Sequence, residues 1–87
     1  MPRATEIYSR EFDAIFFKLS RSARVRIEER VRFLGSRLND FPHARLKGRS
    51  EFRLRVGDFR VIYEFDSARN ELYLITLGHR RDIYRFS

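Results

Sequence analysis

Apolar and polar residues alternate through "EFRLRVGDFRVIYEF", Glu51 to Phe65. Phe52, Leu54 and Val56 take one parity; Arg53 and Arg55 take the other. After Gly57-Asp58 the alternation resumes, with Phe59, Val61, Tyr63 and Phe65 against Arg60, Ile62 and Glu64. Successive strand side chains point to opposite faces, so the pattern predicts a β-hairpin with one apolar face. A third strand-like run, Glu71 to Leu77, follows the turn residues "DSARN". It is apolar at most positions of both parities, which predicts the most central strand, covered at least partly on both sides.

Upstream the period changes. Phe12, Ile15, Phe16 and Leu19 have the spacing of one helix face, with Ser9 placed as the N-cap. "SRS" interrupts this helix, and Ala23, Ile27, Val31, Leu34 and Leu38 form a second stripe. The short break predicts an antiparallel helical hairpin. Pro42 in "NDFPHA" cannot continue it. "ATEIYS" reads as a short first strand, and "GHRRDIYRFS" as a polar tail with room for one helical turn. The sum is one α+β domain over residues 1–87, ordered βααβββ plus a C-terminal tail. A mostly antiparallel sheet of about four strands packs on the N-terminal helical hairpin.

Composition narrows the chemistry. The chain has 87 residues and no cysteine, so disulfides and thiolate metal sites are excluded. His43 and His79 are its two histidines, and neither a metal nor a cofactor is expected. No apolar run approaches the roughly 20 residues that span a bilayer. "MPRATEIYSREF" lacks the apolar core of a signal peptide. The expectation is a soluble, cytoplasmic protein with no membrane partner.

The formal net charge is +7, and seventeen of the nineteen basic residues are arginine. Such a field favours a polyanionic partner, most often nucleic acid. The alternative is an arginine-rich composition without functional meaning. The excess is local, however: Arg45 to Arg60 holds six basic residues against Glu51 and Asp58.

If the apolar parity of the hairpin faces the helices, Arg53, Arg55 and Arg60 share the other face. Opposed side chains there stand about 5 Å apart, and like charges so placed repel. An anion between them would relieve that cost. The plainer alternative is a solvated hairpin whose charges discourage edge-to-edge aggregation. The tail then delivers His79, Arg80, Arg81 and Tyr84 near the end of the sheet. A histidine, several arginines and a tyrosine are the parts of a metal-free RNA-cleaving site. One group takes the 2′-hydroxyl proton, cations stabilise the phosphorane, another group protonates the leaving oxygen, and an aromatic ring stacks on a base.

"RLKG", "FRLRVGDFRVIYEF" and "LYLITLGHRRDIYR", in this order and spacing, resemble the RelE branch of the RelE/ParE toxin superfamily. The likeness runs over almost the whole chain. It implies a ribosome-dependent endoribonuclease that cleaves mRNA in the ribosomal A site without a metal and is neutralised by a cognate antitoxin. Carried over by position, the strand basic pair falls on Arg53 and Arg55, and the phosphate-stabilising arginine on Arg60. The C-terminal arginine falls on Arg80 and the base-stacking tyrosine on Tyr84. Arg45, Lys47 and Arg81 are expected to add substrate contacts.

One departure matters. RelE-type sites often carry lysine on that strand, one being proposed as the base, whereas arginine stays protonated and is a poor base. His79 is the first substitute, provided that Gly78 breaks the strand alternation; Glu64 is the second. Two other functions fit the same chain: a ParE-type inhibitor of DNA gyrase with this fold, or a basic RNA-binding domain without catalysis.

Overall fold

The computed structural model describes residues 2–83. Its elements are β1 (Thr5–Tyr8), α1 (Arg10–Phe16), α2 (Arg21–Ser36), β2 (Ala44–Arg45), β3 (Phe52–Val56), β4 (Phe59–Asp66) and β5 (Glu71–His79). Ser9 caps α1 as expected. Its Oγ accepts the Phe12 N–H at 3.0 Å, and its hydroxyl donates to the Ile75 carbonyl, which ties the helix start to β5. Ser20 caps α2 in the same way through the Ala23 N–H.

The sheet has five strands in the order β1-β5-β4-β3-β2. β1 runs parallel to β5, and every other pairing is antiparallel. Two expectations are corrected. The two-residue β2, which ends at the start of "RLKG", adds a strand, because a run this short leaves no alternation to read. The middle strand is β4 rather than β5. The dense apolarity of β5 has another cause. The ladder pairs Ile62 with Thr76 but Tyr63 with Leu74, so Ile75 is an extra residue in a bulge. The bulge resets the alternation, and Leu72, Leu74 and Leu77 all enter the core.

Both helices lie against the same sheet face. Phe12 and Phe16 of α1, and Ile27, Val31 and Leu34 of α2, meet Leu54, Val56, Val61 and Tyr63 there. The hairpin's apolar parity therefore faces the helices. Among the described residues no helix is long and apolar enough to cross a membrane.

His43 bridges the end of the helical layer to the sheet. Its Nε2 donates to the Leu38 carbonyl at 2.8 Å, so in the neutral ring Nδ1 accepts from the Tyr63 hydroxyl at 2.6 Å. The imidazole stacks on Phe65, ring centroids 4.1 Å apart. Burial pushes the Tyr63 phenol well above its ordinary pKa, which keeps it a donor. Tyr63→Phe should leave Nδ1 unpaired and cost about 1–2 kcal/mol. Thermal denaturation should then show a melting point lower by roughly 4–8 °C per kcal/mol for a domain of this size. An unchanged melting point would remove this bridge from the fold's supports.

Gly57 turns β3 into β4 at φ +58°, in the left-handed region where a side chain is strained. A Cβ there would also lie 2.4 Å from the Arg26 guanidinium of α2. Gly57→Ala should cost about 1–2 kcal/mol in the same melting experiment; a neutral substitution would show that the turn has another accessible geometry.

Candidate nucleic-acid interface

The register of the hairpin settles how the arginines meet. Arg55 stands directly opposite Arg60, and Arg53 opposite Ile62, on the sheet face turned away from the helices. On its other side Arg60 is opposite Gly78 of β5. Arg60 is only 9% exposed, whereas Arg55 is exposed. A buried guanidinium needs partners for its donors. Arg60 Nη1 donates to the Gly57 carbonyl at 3.1 Å and to the Phe59 carbonyl at 3.0 Å. Burial, and then the nearby charges of Arg55, Arg53 and Arg80, hold its pKa below the ordinary arginine value, with Asp58 acting in the opposite sense. The field at this point of the surface is thus strongly positive.

The tail reaches the same turn. Beyond β5 the Arg80 N–H donates to the Asp58 carbonyl at 2.7 Å, and Arg80 Nε lies 3.8 Å from the Asp58 carboxylate. The His79 carbonyl accepts from the N–H groups of Asp82 and Ile83, which makes the expected helical turn. That turn folds Ile83 back over Gly78, where a Cβ would come within 3.5 Å of it. Ile83 packs with Leu46 and Ile62 into a small second apolar cluster, flanked by Ile75. The outer sheet face is therefore divided. An apolar plug covers Ile62, and beyond it the arginines surround the Gly57-Asp58 turn.

Arg53, Arg55, Arg60 and Arg80 are brought together as the sequence implied. His79 is not with them. The ladder pairs it with Phe59, whose ring it meets edge-on at 5.9 Å, so it faces the helix side beside Ile15 and Leu19. The alternation that Gly78 had to break continues through it. Glu64 shares the arginine face but stands four residues from Arg60, about 13 Å along the strand, with the Ile62 plug between them. It accepts from the Ser50 hydroxyl instead. Arg45 is also diverted. It pairs with Phe52, takes that residue's face, and lays its guanidinium 4.6 Å from the Phe52 ring centroid. Lys47 and Arg81 are exposed in turns. Tyr84 lies outside the described residues.

Asp58, Leu46 and Ile83 were not singled out by sequence reasoning. Asp58 looked like a turn residue, and nothing local says that its carbonyl receives Arg80. Leu46 and Ile83 are isolated apolar residues in polar stretches, a weak signal that a second small core exists.

Chemically, the cluster offers guanidinium donors for an anion and no proton acceptor among its arginines. Arginine forks match the oxygens of a phosphate diester two at a time. Among the described residues no three His, Asp or Glu side chains come close enough to hold a metal ion.

Comparison with known proteins agrees with this architecture. The chain resembles a chain of the RelBE2 toxin–antitoxin complex of Mycobacterium tuberculosis, at TM-score 0.79 and 19% identity over 94% of this chain and 97% of that one. The archaeal RelE–RelB complex of Pyrococcus horikoshii gives TM-score 0.75 and 20% identity over 93% and 99%. The isolated RelE toxin of E. coli gives 0.75 and 13% over 94% and 92%. At these identities the likeness is one of fold. Comparison with curated protein sequences finds no match. Residues 1–84 match the family described as the ParE toxin of the type II toxin–antitoxin system parDE. The chain belongs to that family, within the RelE/ParE toxin superfamily.

Proposed function

We propose that this toxin is a ribosome-dependent endoribonuclease that cleaves mRNA in the ribosomal A site. The observation that carries the proposal is the opposed pair Arg55 and Arg60 on the outer sheet face, Arg55 exposed and Arg60 largely buried behind it, with Arg53 and Arg80 nearby. A phosphate diester seated there would meet guanidinium donors on several sides. As the 2′-hydroxyl attacks phosphorus and the 5′-oxygen leaves, the phosphorane gains charge that these groups stabilise. The products would be a 2′,3′-cyclic phosphate and a 5′-hydroxyl.

The arginines supply charge and no base. With His79 turned to the helices and Glu64 beyond the plug, the carboxylate that stays within the cluster is that of Asp58, 3.8 Å from Arg80 Nε. In a ribosome-dependent reaction the ribosome would position the RNA against this cluster. The natural partners are then the ribosome with its mRNA, in the cytoplasm, and a cognate antitoxin such as the RelB chains of the similar complexes. No metal or cofactor is invoked.

The family description supports a second reading, inhibition of DNA gyrase without RNA cleavage. Brief induction separates the two. Translation should stop first, with new mRNA 5′ ends appearing within coding sequences. Arrest of DNA replication before translation, without new ends, would contradict the proposal in favour of the gyrase reading.

Arg55→Ala and Arg80→Ala alter exposed side chains and should leave the fold intact. Each should lower cleavage on programmed ribosomes by roughly 100-fold or more, the usual cost of losing one charge-stabilising donor. Full activity in both folded variants would overturn this assignment of the site.

A further inference from the structure

The positive surface does not stop at the sheet. β2 pairs with β3 only at Phe52 and Arg53, so among the described residues the edge of β3 from Leu54 to Val56 has no strand on that side. Helix α2 runs beside that edge. A cleft of about 210 Å³ opens between them, lined by Arg26, Glu29 and Arg30 of α2 and by Arg55, Val56 and Gly57 of the hairpin. Arg55 thus belongs to both surfaces, the outer face through its pairing with Arg60 and the cleft through its position at the strand edge.

Arg26 lies against the backbone of the turn. Its guanidinium occupies the space that a Cβ at Gly57 would need, 2.4 Å from that position. The Gly57 carbonyl receives Arg60 Nη1. The same glycine therefore seats one arginine through its missing side chain and another through its carbonyl. Neither Arg26, Arg30 nor Arg55 forms an ion pair among the described residues, although Glu29 lines the cleft. Arg30 also lies 5.7 Å from the Phe33 ring centroid, a contact that leaves its charge uncompensated.

We propose that Arg26 and Arg30 form a second phosphodiester subsite with Arg55, continuing the proposed RNA track from the outer sheet face round the edge of β3 to α2. The occupant is the sugar–phosphate backbone of RNA. Three guanidinium groups in one cleft provide several donors for phosphate oxygens. Sharing Arg55 with the outer face joins the two surfaces into one track for a single polyanion. The inference rests on the reading of the outer face as an RNA site, and it adds a contact that no base or sequence preference would reveal.

The test is the salt dependence of RNA binding by the full chain, with a labelled single-stranded RNA decamer and a short RNA duplex as probes. Each phosphate neutralised on a single strand contributes about 0.7 to the slope of log affinity against log salt. The double variant Arg26→Gln with Arg30→Gln should bind the decamer more weakly, with a slope shallower by about 0.7 for each phosphate that the variant no longer neutralises. Arg24→Gln with Arg32→Gln removes the same charge from a different side of α2 and should leave the slope nearly unchanged. Melting curves of both variants verify that they are folded. An effect on the decamer supports the continuous track; an effect confined to the duplex would separate the cleft from that track and overturn the proposal.

If Arg26→Gln with Arg30→Gln leaves both slopes unchanged while Arg55→Ala abolishes binding, the subsite is refuted and the outer-face reading stands. If RNA slopes are unchanged but binding of a polyglutamate probe falls, the cleft serves an acidic protein and the proposal is overturned. Absence of RNA binding by the unaltered chain would defeat the subsite, whereas the outer-face reading is decided by cleavage on programmed ribosomes.

Discussion

Two guanidinium groups face each other across the β3–β4 hairpin, and the rest of the site is arranged around the cost of that pairing. Like charges at directly opposed strand positions destabilise a sheet. Here one of the pair, Arg60, is also withdrawn from solvent. The fold bears the cost locally. Carbonyls at Gly57 and Phe59 accept from Arg60, Asp58 contributes a nearby negative charge, and Gly78 opposite supplies no competing side chain. An anion bound between Arg55 and Arg60 would convert the remaining repulsion into attraction.

The turn at Gly57-Asp58 gathers more than this pair. Arg26 comes to it from α2, Arg80 from the tail, and Arg60 from β4. Residues remote in sequence thus meet at one two-residue turn. The Leu46–Ile62–Ile83 plug has a complementary part. By folding the tail over Gly78 it anchors the segment that carries Arg80, and it lies between Glu64 and Arg60.

What could be read from the chain follows from what is local. The hairpin parity was legible because alternation has a fixed meaning on a strand, and it placed Arg53, Arg55 and Arg60 together. Ser9 was legible as a cap because it precedes an apolar period of helical spacing. The bulge at Ile75 was not, since an extra residue in a nearly continuous apolar run leaves the pattern unchanged. The position of His79 depended on whether alternation survived Gly78, a question of long-range pairing with Phe59. Arg26 was legible as one basic residue on a helix; only tertiary packing shows that it meets Gly57.

The most direct measurement is a crystal structure of the toxin with an RNA oligomer carrying a 2′-deoxy sugar at the cleavage position, which prevents the attack. A phosphate-binding role for the hairpin predicts the phosphate beside that sugar within about 3 Å of guanidinium nitrogens of Arg55 and Arg60, the ordinary range of a charge-assisted hydrogen bond. RNA bound on another surface, with the outer face of the hairpin unoccupied, would contradict it.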